Sequence, residues 1–217
     1  MKTWAAIFDW DGVIVDSSAQ HEASWQVLAK KEGRTLPPGH FKKGFGMKNE
    51  VIIPNVLGWA KDPAEIDRLA RAKEQVYRDL VDRDGIEPIP GVMEWLATLK
   101  EARIPCAIGS STHRLNIDCV LRHIHLADYF AAIVAGNDVT HGKPAPDIFL
   151  KAAERLGYQP ARCVVFEDAH VGIEAARAGG MKVVAVTTTH PAESLGDADL
   201  VVERLDQLSV EDVAALL

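Results

Sequence analysis

Short, almost unbroken apolar runs alternate along the chain with stretches of helical periodicity. The runs cover residues 4–8, 105–108, 131–134, 163–166 and 182–186, with a weaker sixth at 200–202. A strand covered on both faces reads this way, whereas a half-exposed strand alternates apolar and polar. Between the runs, residues 92–101, 114–122, 146–156 and 169–178 carry helical patterns. Strand and helix repeated in this order predict an α/β fold, a parallel sheet with helices on both faces.

Residues 17–87 break the rhythm, with helical patterns and no convincing strand. Ser17 and Gln20 have the spacing of a capping box. Asp62-Pro63-Ala64-Glu65 is a stronger start signal: a capping Asp, Pro in the first turn and Glu two residues after it. Glu87-Pro88-Ile89-Pro90-Gly91 reads as a stiff return to the α/β pattern. The expected organisation is an α/β core of residues 1–16 and 88–217, interrupted by a helical insertion of residues 17–87.

Composition narrows the functional classes. With 47% hydrophobic and 25% charged residues, the 217-residue chain can bury a real core. The net charge of −7 disfavours nucleic acid or an anionic membrane as main partner. Asp9 and Asp11 interrupt the first apolar run before it could serve as a signal peptide, and no apolar run is long enough for a membrane span. Cys106, Cys119 and Cys163 lack metal-ligand spacing and predict reduced, buried thiols in a cytoplasmic protein.

Ligands of open parallel sheets bind beyond the carboxyl ends of the strands. Asp9-Trp10-Asp11-Gly12 follows the first run, Gly109-Ser110-Ser111-Thr112 the second, Gly142-Lys143-Pro144 the third, and Glu167-Asp168 the fourth. Four carboxylates, a lysine and several hydroxyls are thus expected along one edge. Two unit charges ~4 Å apart repel by roughly 4 kcal/mol at an effective dielectric near 20, so such a cluster calls for a counter-charge. Lys143 and a hard divalent cation, Mg²⁺, suit an all-oxygen site. A carboxylate at Asp9 can attack phosphorus, splitting one hard step into two. Asp11, two residues on, suits general acid/base work. Ser110 and the amides opening the next helix can hold phosphate oxygens, and Lys143 can neutralise the transferring group. Singly, these residues read as turns, caps and solvated loops; their order, each after an apolar run, favours chemistry.

The set resembles the haloacid dehalogenase (HAD) superfamily. Phe8-Asp9-Trp10-Asp11-Gly12-Val13 is similar to its first motif, Gly109-Ser110 to its second and Lys143-Pro144-Ala145-Pro146-Asp147 to its third. Phe166-Glu167-Asp168, with Gly172-Ile173-Glu174, is similar to the fourth. The helical insertion resembles the cap of the subfamily containing β-phosphoglucomutase and sugar-phosphate phosphatases. The resemblance implies a Rossmann-like core and a mobile four-helix cap that closes over substrate. It implies Asp9 as nucleophile, Asp11 as acid/base, and Ser110 and Lys143 as phosphate holders. Mg²⁺ would be held by Asp9, the Asp11 carbonyl and Asp168, with Glu167 in support. An acid at position 11 separates phosphate-ester enzymes of the superfamily from its dehalogenases.

Candidate substrate contacts are Ser111, His21, Lys48, Lys73 and Arg114. Lys73 falls within the apolar stripe Ile66, Leu69, Ala70, Tyr77, Leu80, Val81, either snorkelling at its edge or facing substrate. His21 matches a histidine of β-phosphoglucomutase, against the alternative of an exposed helix face. His113 has the same two readings. The mutase uses a cap Arg after Lys-Gly to grip a second phosphate. Here Lys43-Gly44-Phe45-Gly46 leads to Met47 and Lys48, and Lys is the poorer bidentate clamp. The expected activity is therefore hydrolysis of a small phosphorylated metabolite by a monomeric enzyme. A phosphohexomutase is the alternative, and a catalytically inactive HAD-fold binding protein the next. A Ca²⁺ loop starting at Asp9 is disfavoured: Val13 and Ile14 stand where it needs an oxygen ligand and a glycine, and Gln20 where it needs glutamate.

Overall fold

The computed structural model of the chain describes residues 4–44 and 47–217. They form two compact units, one of Met1–Asp16 with Ile86–Leu217 and one of Ser17–Gly85.

The larger unit is built on a six-stranded parallel sheet of order β3-β2-β1-β4-β5-β6. Its strands are β1 (Ala5–Phe8), β2 (Cys106–Gly109), β3 (Phe130–Val134), β4 (Cys163–Glu167), β5 (Lys182–Val186) and β6 (Leu200–Val202). The expected α/β fold is the one observed. Residues of β1, β2 and β4 are fully buried, as their unbroken apolar runs require. The edge strands β3 and β6 are only partly buried, which corrects the expectation that both faces of every run are covered. Three central strands hide both faces; an edge strand has a neighbour on one side only.

Side chains alternate across each strand. Ala5, Ile7, Cys163, Val165, Val183 and Ala185 meet Ile148, Phe149, Ala152 and Ala153 of helix α7 (Asp147–Leu156) and Ile173, Ala175 and Ala176 of α8 (His170–Ala178). On the other face Phe8 stacks on Phe166, with ring centroids 4.5 Å apart, and Trp95 of α5 (Val92–Glu101) meets Phe166 edge-on. Strands β2 and β3 are built outward from one side of β1, and β4 to β6 from the other. The sequence order therefore reverses between β1 and β4, the switch point where such sheets bind ligands. The chain leaves and re-enters this unit side by side, with Ile89 N donating to Ile14 O at 2.9 Å. The unit also holds α6 (Arg114–Ile124) and α9 (Val210–Ala214).

The smaller unit holds α1 (Ser18–Lys31), α2 (His40–Gly44), α3 (Asn49–Ile52), a π-helical turn (Ile53–Leu57) and α4 (Pro63–Asp84). Trp25, Leu28, Ile53, Trp59 and Leu69 pack in its core. Asp62 caps α4 as expected, accepting from Glu65 N at 3.0 Å. The expected Ser17–Gln20 box does not form: Ser17 occupies the N-cap without a side-chain cap bond, and the Gln20 amide donates to Gly85 O at 3.5 Å. Phe45 and Gly46, within the Lys43-Gly44-Phe45-Gly46 stretch, lie outside the described residues. No helix among the described residues is long and apolar enough to cross a membrane. The three cysteines are buried, and no disulfide joins them.

Candidate active site

Asp9 is the first residue beyond β1, and its N–H donates to Phe166 O at 2.9 Å, extending the β1–β4 ladder by one rung. Glu167 ends β4 and Asp168 follows it. Carboxylate oxygens of Asp9, Glu167 and Asp168 lie within 4.8 Å of one another, and all three residues are buried. The side chain of Lys143 is only 6% exposed; its Nζ lies 3.0 Å from Asp9 Oδ1 and 2.5 Å from Glu167 Oε1. The third loop therefore supplies a buried cation rather than a solvated turn.

Electrostatics follow from this crowding. Burial is the main cause that pushes the Asp9 carboxyl up to about 6; Lys143 opposes the shift and Glu167 adds to it. Asp168 is likewise raised to about 6, first by burial and then by Asp9, with a bond from Thr189 opposing. Burial works against the Lys143 ammonium, but Asp9 and Glu167 prevail and hold it above the ordinary lysine range. Asp9 Oδ1 is buried, with the Lys143 ammonium 3.0 Å away as its counter-charge. Three buried carboxylates facing one ammonium leave an excess of negative charge that a hard cation would neutralise.

Two glycines make room for these acids. A Cβ on Gly12 would lie 2.0 Å from Asp168 Oδ2, and the residue has φ +81°. A Cβ on Gly172 would lie 1.6 Å from Glu167 Oε1. Glu167 turns its other oxygen back to accept from Asp168 N and Ala169 N, both at 2.7 Å. It thus shapes the turn, whereas α8 has no side-chain cap.

Asp11 stands apart from the three-carboxylate cluster and accepts a hydrogen bond from the Thr112 hydroxyl. Ser110 is buried beyond β2, and its hydroxyl accepts from Thr112 N at 3.1 Å. Ser111 is exposed. The expectation that amides opening α6 await phosphate needs correction. His113 is the N-cap and takes Leu115 N at 3.2 Å, while Asn137 Oδ1 takes Arg114 N at 3.0 Å. The Arg114 guanidinium pairs within its own helix with Asp118, at 2.8 Å.

Sequence reasoning missed Thr188 and Thr189. The Thr189 hydroxyl donates to Asp168 Oδ2, and that of Thr188 to Gly12 O. Both follow β5, so the same inspection of strand ends would have found them.

In the smaller unit Lys73 is buried, which rules out a snorkelling side chain. Its Nζ donates to His21 Nδ1 at 2.6 Å and to Glu74 Oε1 at 3.0 Å, and lies 5.6 and 5.7 Å from the ring centroids of Trp25 and Tyr77. His21 stacks on Tyr77 at 4.2 Å, so it is not a freely solvated face residue. Lys48 is exposed before α3.

Residues 5–180 match the family model described as haloacid dehalogenase-like hydrolase. The chain belongs to that family. Among its relatives, the chloroplastic 5-amino-6-(5-phospho-D-ribitylamino)uracil phosphatase of Arabidopsis thaliana is 39% identical over 97% of this chain; the chain spans 57% of that protein's length. Fructose-1-phosphate phosphatase YqaB of Escherichia coli is 35% identical over 83% of this chain and 94% of its own. β-Phosphoglucomutase of Bacillus subtilis is also 35% identical, over 95% of this chain and 92% of its own. Among solved structures, a family IA HAD hydrolase from Entamoeba histolytica superposes with a TM-score of 0.88 at 27% identity, covering 98% of each chain. The β-phosphoglucomutase of Clostridium difficile gives 0.83 at 30% identity, covering 99% of this chain and 96% of its own.

Proposed function

We propose that this chain is a Mg²⁺-dependent phosphatase of small phosphomonoesters, with a sugar or sugar-alcohol phosphate as substrate. The observation that carries it is the buried Asp9–Lys143–Glu167 ion pairing, with Asp168 in the same acidic cluster at the sheet's switch point. Met1–Asp16 with Ile86–Leu217 acts as catalytic core, and Ser17–Gly85 as substrate-selecting cap. An all-carboxylate cluster with three buried acids against one ammonium fits a hard divalent cation. Asp9, Asp168 and the Asp11 carbonyl would hold Mg²⁺, supported by Glu167. When bound it neutralises charge between the phosphate and the attacking carboxylate.

Asp9 attacks phosphorus and forms an aspartyl-phosphate as the bond to the alcohol oxygen breaks. Asp11 gives its proton to that oxygen, then takes one from the water that attacks the acyl-phosphate and releases inorganic phosphate. Ser110 and Lys143 hold phosphate oxygens through both steps. Ser111, His21, Lys48, Lys73 and Arg114 are the proposed contacts to the rest of the substrate. The named substrates of the two phosphatase relatives, a phosphoribityl compound and fructose 1-phosphate, support the substrate class. Buried cysteines with no disulfide between them fit a reducing cytoplasm, and a monomer is the state common in the subfamily it resembles.

The relative named β-phosphoglucomutase keeps a phosphohexomutase as second reading. Lys48 follows the stretch where the mutase has its clamping arginine, and lysine is the poorer bidentate phosphate clamp, which favours hydrolysis. The test is a phosphate-release screen over sugar and polyol phosphates with and without Mg²⁺, beside Asp9→Asn, with glucose 6-phosphate formation from β-glucose 1-phosphate assayed in parallel. Mg²⁺-dependent phosphate release without isomerisation is expected. Isomerisation without release would establish the mutase, and no turnover of any ester would indicate a binding protein.

A further inference from the structure

We infer that Thr112 is a positioning residue for Asp11, holding that carboxyl in register with the phosphate-gripping loop; the inference rests on the phosphatase reading above. Thr112 makes three bonds to three different parts of the site. Its hydroxyl donates to Asp11 Oδ2, its N–H donates to Ser110 Oγ at 3.1 Å, and its carbonyl accepts from Gly136 N at 3.0 Å.

The loop carrying Thr112 is itself braced. Asn137 Oδ1 accepts from Arg114 N, and Gly136 runs so close that a Cβ there would lie 2.1 Å from Ser111 O. The segment after β3 therefore pins the segment after β2 on both sides of Thr112. Ser110 and Thr112 then move as one body, which relates the Asp11 carboxyl to the phosphate position rather than to the first loop alone.

A bond to Oδ2 fixes the plane of the carboxyl and the direction in which Oδ1 points. A threonine hydroxyl can donate to Oδ2 whether or not Oδ1 carries the proton. The contact thus survives the proton's departure and return, as a positioning contact must. Misplacing an acid by a fraction of an ångström costs most where the leaving oxygen needs the proton.

That distinction supplies the test. A 4-nitrophenolate leaves without protonation, whereas a sugar alkoxide does not. The comparison uses kcat/KM for 4-nitrophenyl phosphate and for the sugar phosphate turned over fastest in the phosphate-release screen, since kcat/KM reports steps up to departure of the alcohol. Thr112→Val should lower kcat/KM for the sugar phosphate by about tenfold or more, with less than about threefold loss on the aryl ester. Thr112→Ser, which keeps the hydroxyl, should restore both to near wild type. Equal losses on the two esters would show that Thr112 merely holds the loop, and no loss would remove its role; either overturns the inference. Thr112→Ala is the second variant should the valine disturb folding, and Mg²⁺-dependent thermal shifts report an intact site. A wild-type chain that hydrolyses neither ester would instead refute the phosphatase reading.

Discussion

Lys143 Nζ stands 3.0 Å from Asp9 Oδ1, joining the third loop to the first within a buried site. Glu167 on the same ammonium completes a carboxylate–ammonium–carboxylate bridge. Such a bridge does not tolerate loss of its cation, which is the buried counter-charge to both carboxylates.

Lys143→Met should therefore damage stability and activity together. Two buried carboxylates lose their cation, an expected cost of about 3–5 kcal/mol, visible as a lower urea midpoint. Turnover should fall by at least about 100-fold, as when one fixed donor to a transition state is lost. A variant of wild-type stability would show that the bridge contributes nothing to the fold.

Gly172→Ala tests the space reserved for Glu167. The added methyl would sit 1.6 Å from Glu167 Oε1, so the carboxyl or the start of α8 must move. We expect about 1–3 kcal/mol of destabilisation and a higher Mg²⁺ concentration for half-maximal activity. Unchanged Mg²⁺ dependence would mean that Glu167 can shift without affecting the metal site.

Protons and Mg²⁺ should compete for the acidic cluster. Asp9 and Asp168 are both raised to about 6 in the metal-free chain, first by burial. Between the unfolded carboxyl value near 4 and about 6 the folded chain holds the more protons. Their contribution to stability therefore falls as pH rises through that window, and the loss is complete above about 6. Mg²⁺ relieves that loss by binding the ionised acids. Its effect on Tm should be larger near pH 7.5 than near pH 5. Equal shifts at both would contradict binding at these carboxylates.

Thr189→Val removes the hydroxyl that donates to Asp168 Oδ2 while keeping the shape. Groups that orient a metal ligand typically contribute about 10–100-fold to affinity. Mg²⁺ affinity by calorimetry should weaken by about tenfold, and full activity should return at saturating Mg²⁺. Unaltered affinity would place Thr189 outside the metal site.

Much of the sheet was legible because central parallel strands must be apolar on both faces. Strands β5 and β6 and helix α5 fall where periodicity puts them. The edge strand β3 did not follow that rule, since exposure depends on neighbours that a local run does not reveal. The proximity of Asp9, Lys143, Glu167 and Asp168 was legible through their places after strands. The Thr112–Asp11 bond joins residues 101 positions apart, so no local pattern announces it. For Lys73, helical spacing gave the side of the helix but not the partners: His21 and Glu74 bind an amine that an apolar stripe would otherwise exclude.

The most direct measurement of the account is trapping of the covalent intermediate. Wild-type protein is mixed with a ³²P-labelled substrate from the screen and Mg²⁺, quenched in acid, digested and mapped. Label should appear on the peptide carrying Asp9, disappear on hydroxylamine treatment as an acyl-phosphate must, and be absent from Asp9→Asn. Phosphate release by the Asp9→Asn chain at wild-type rate, or label on another residue, would contradict it.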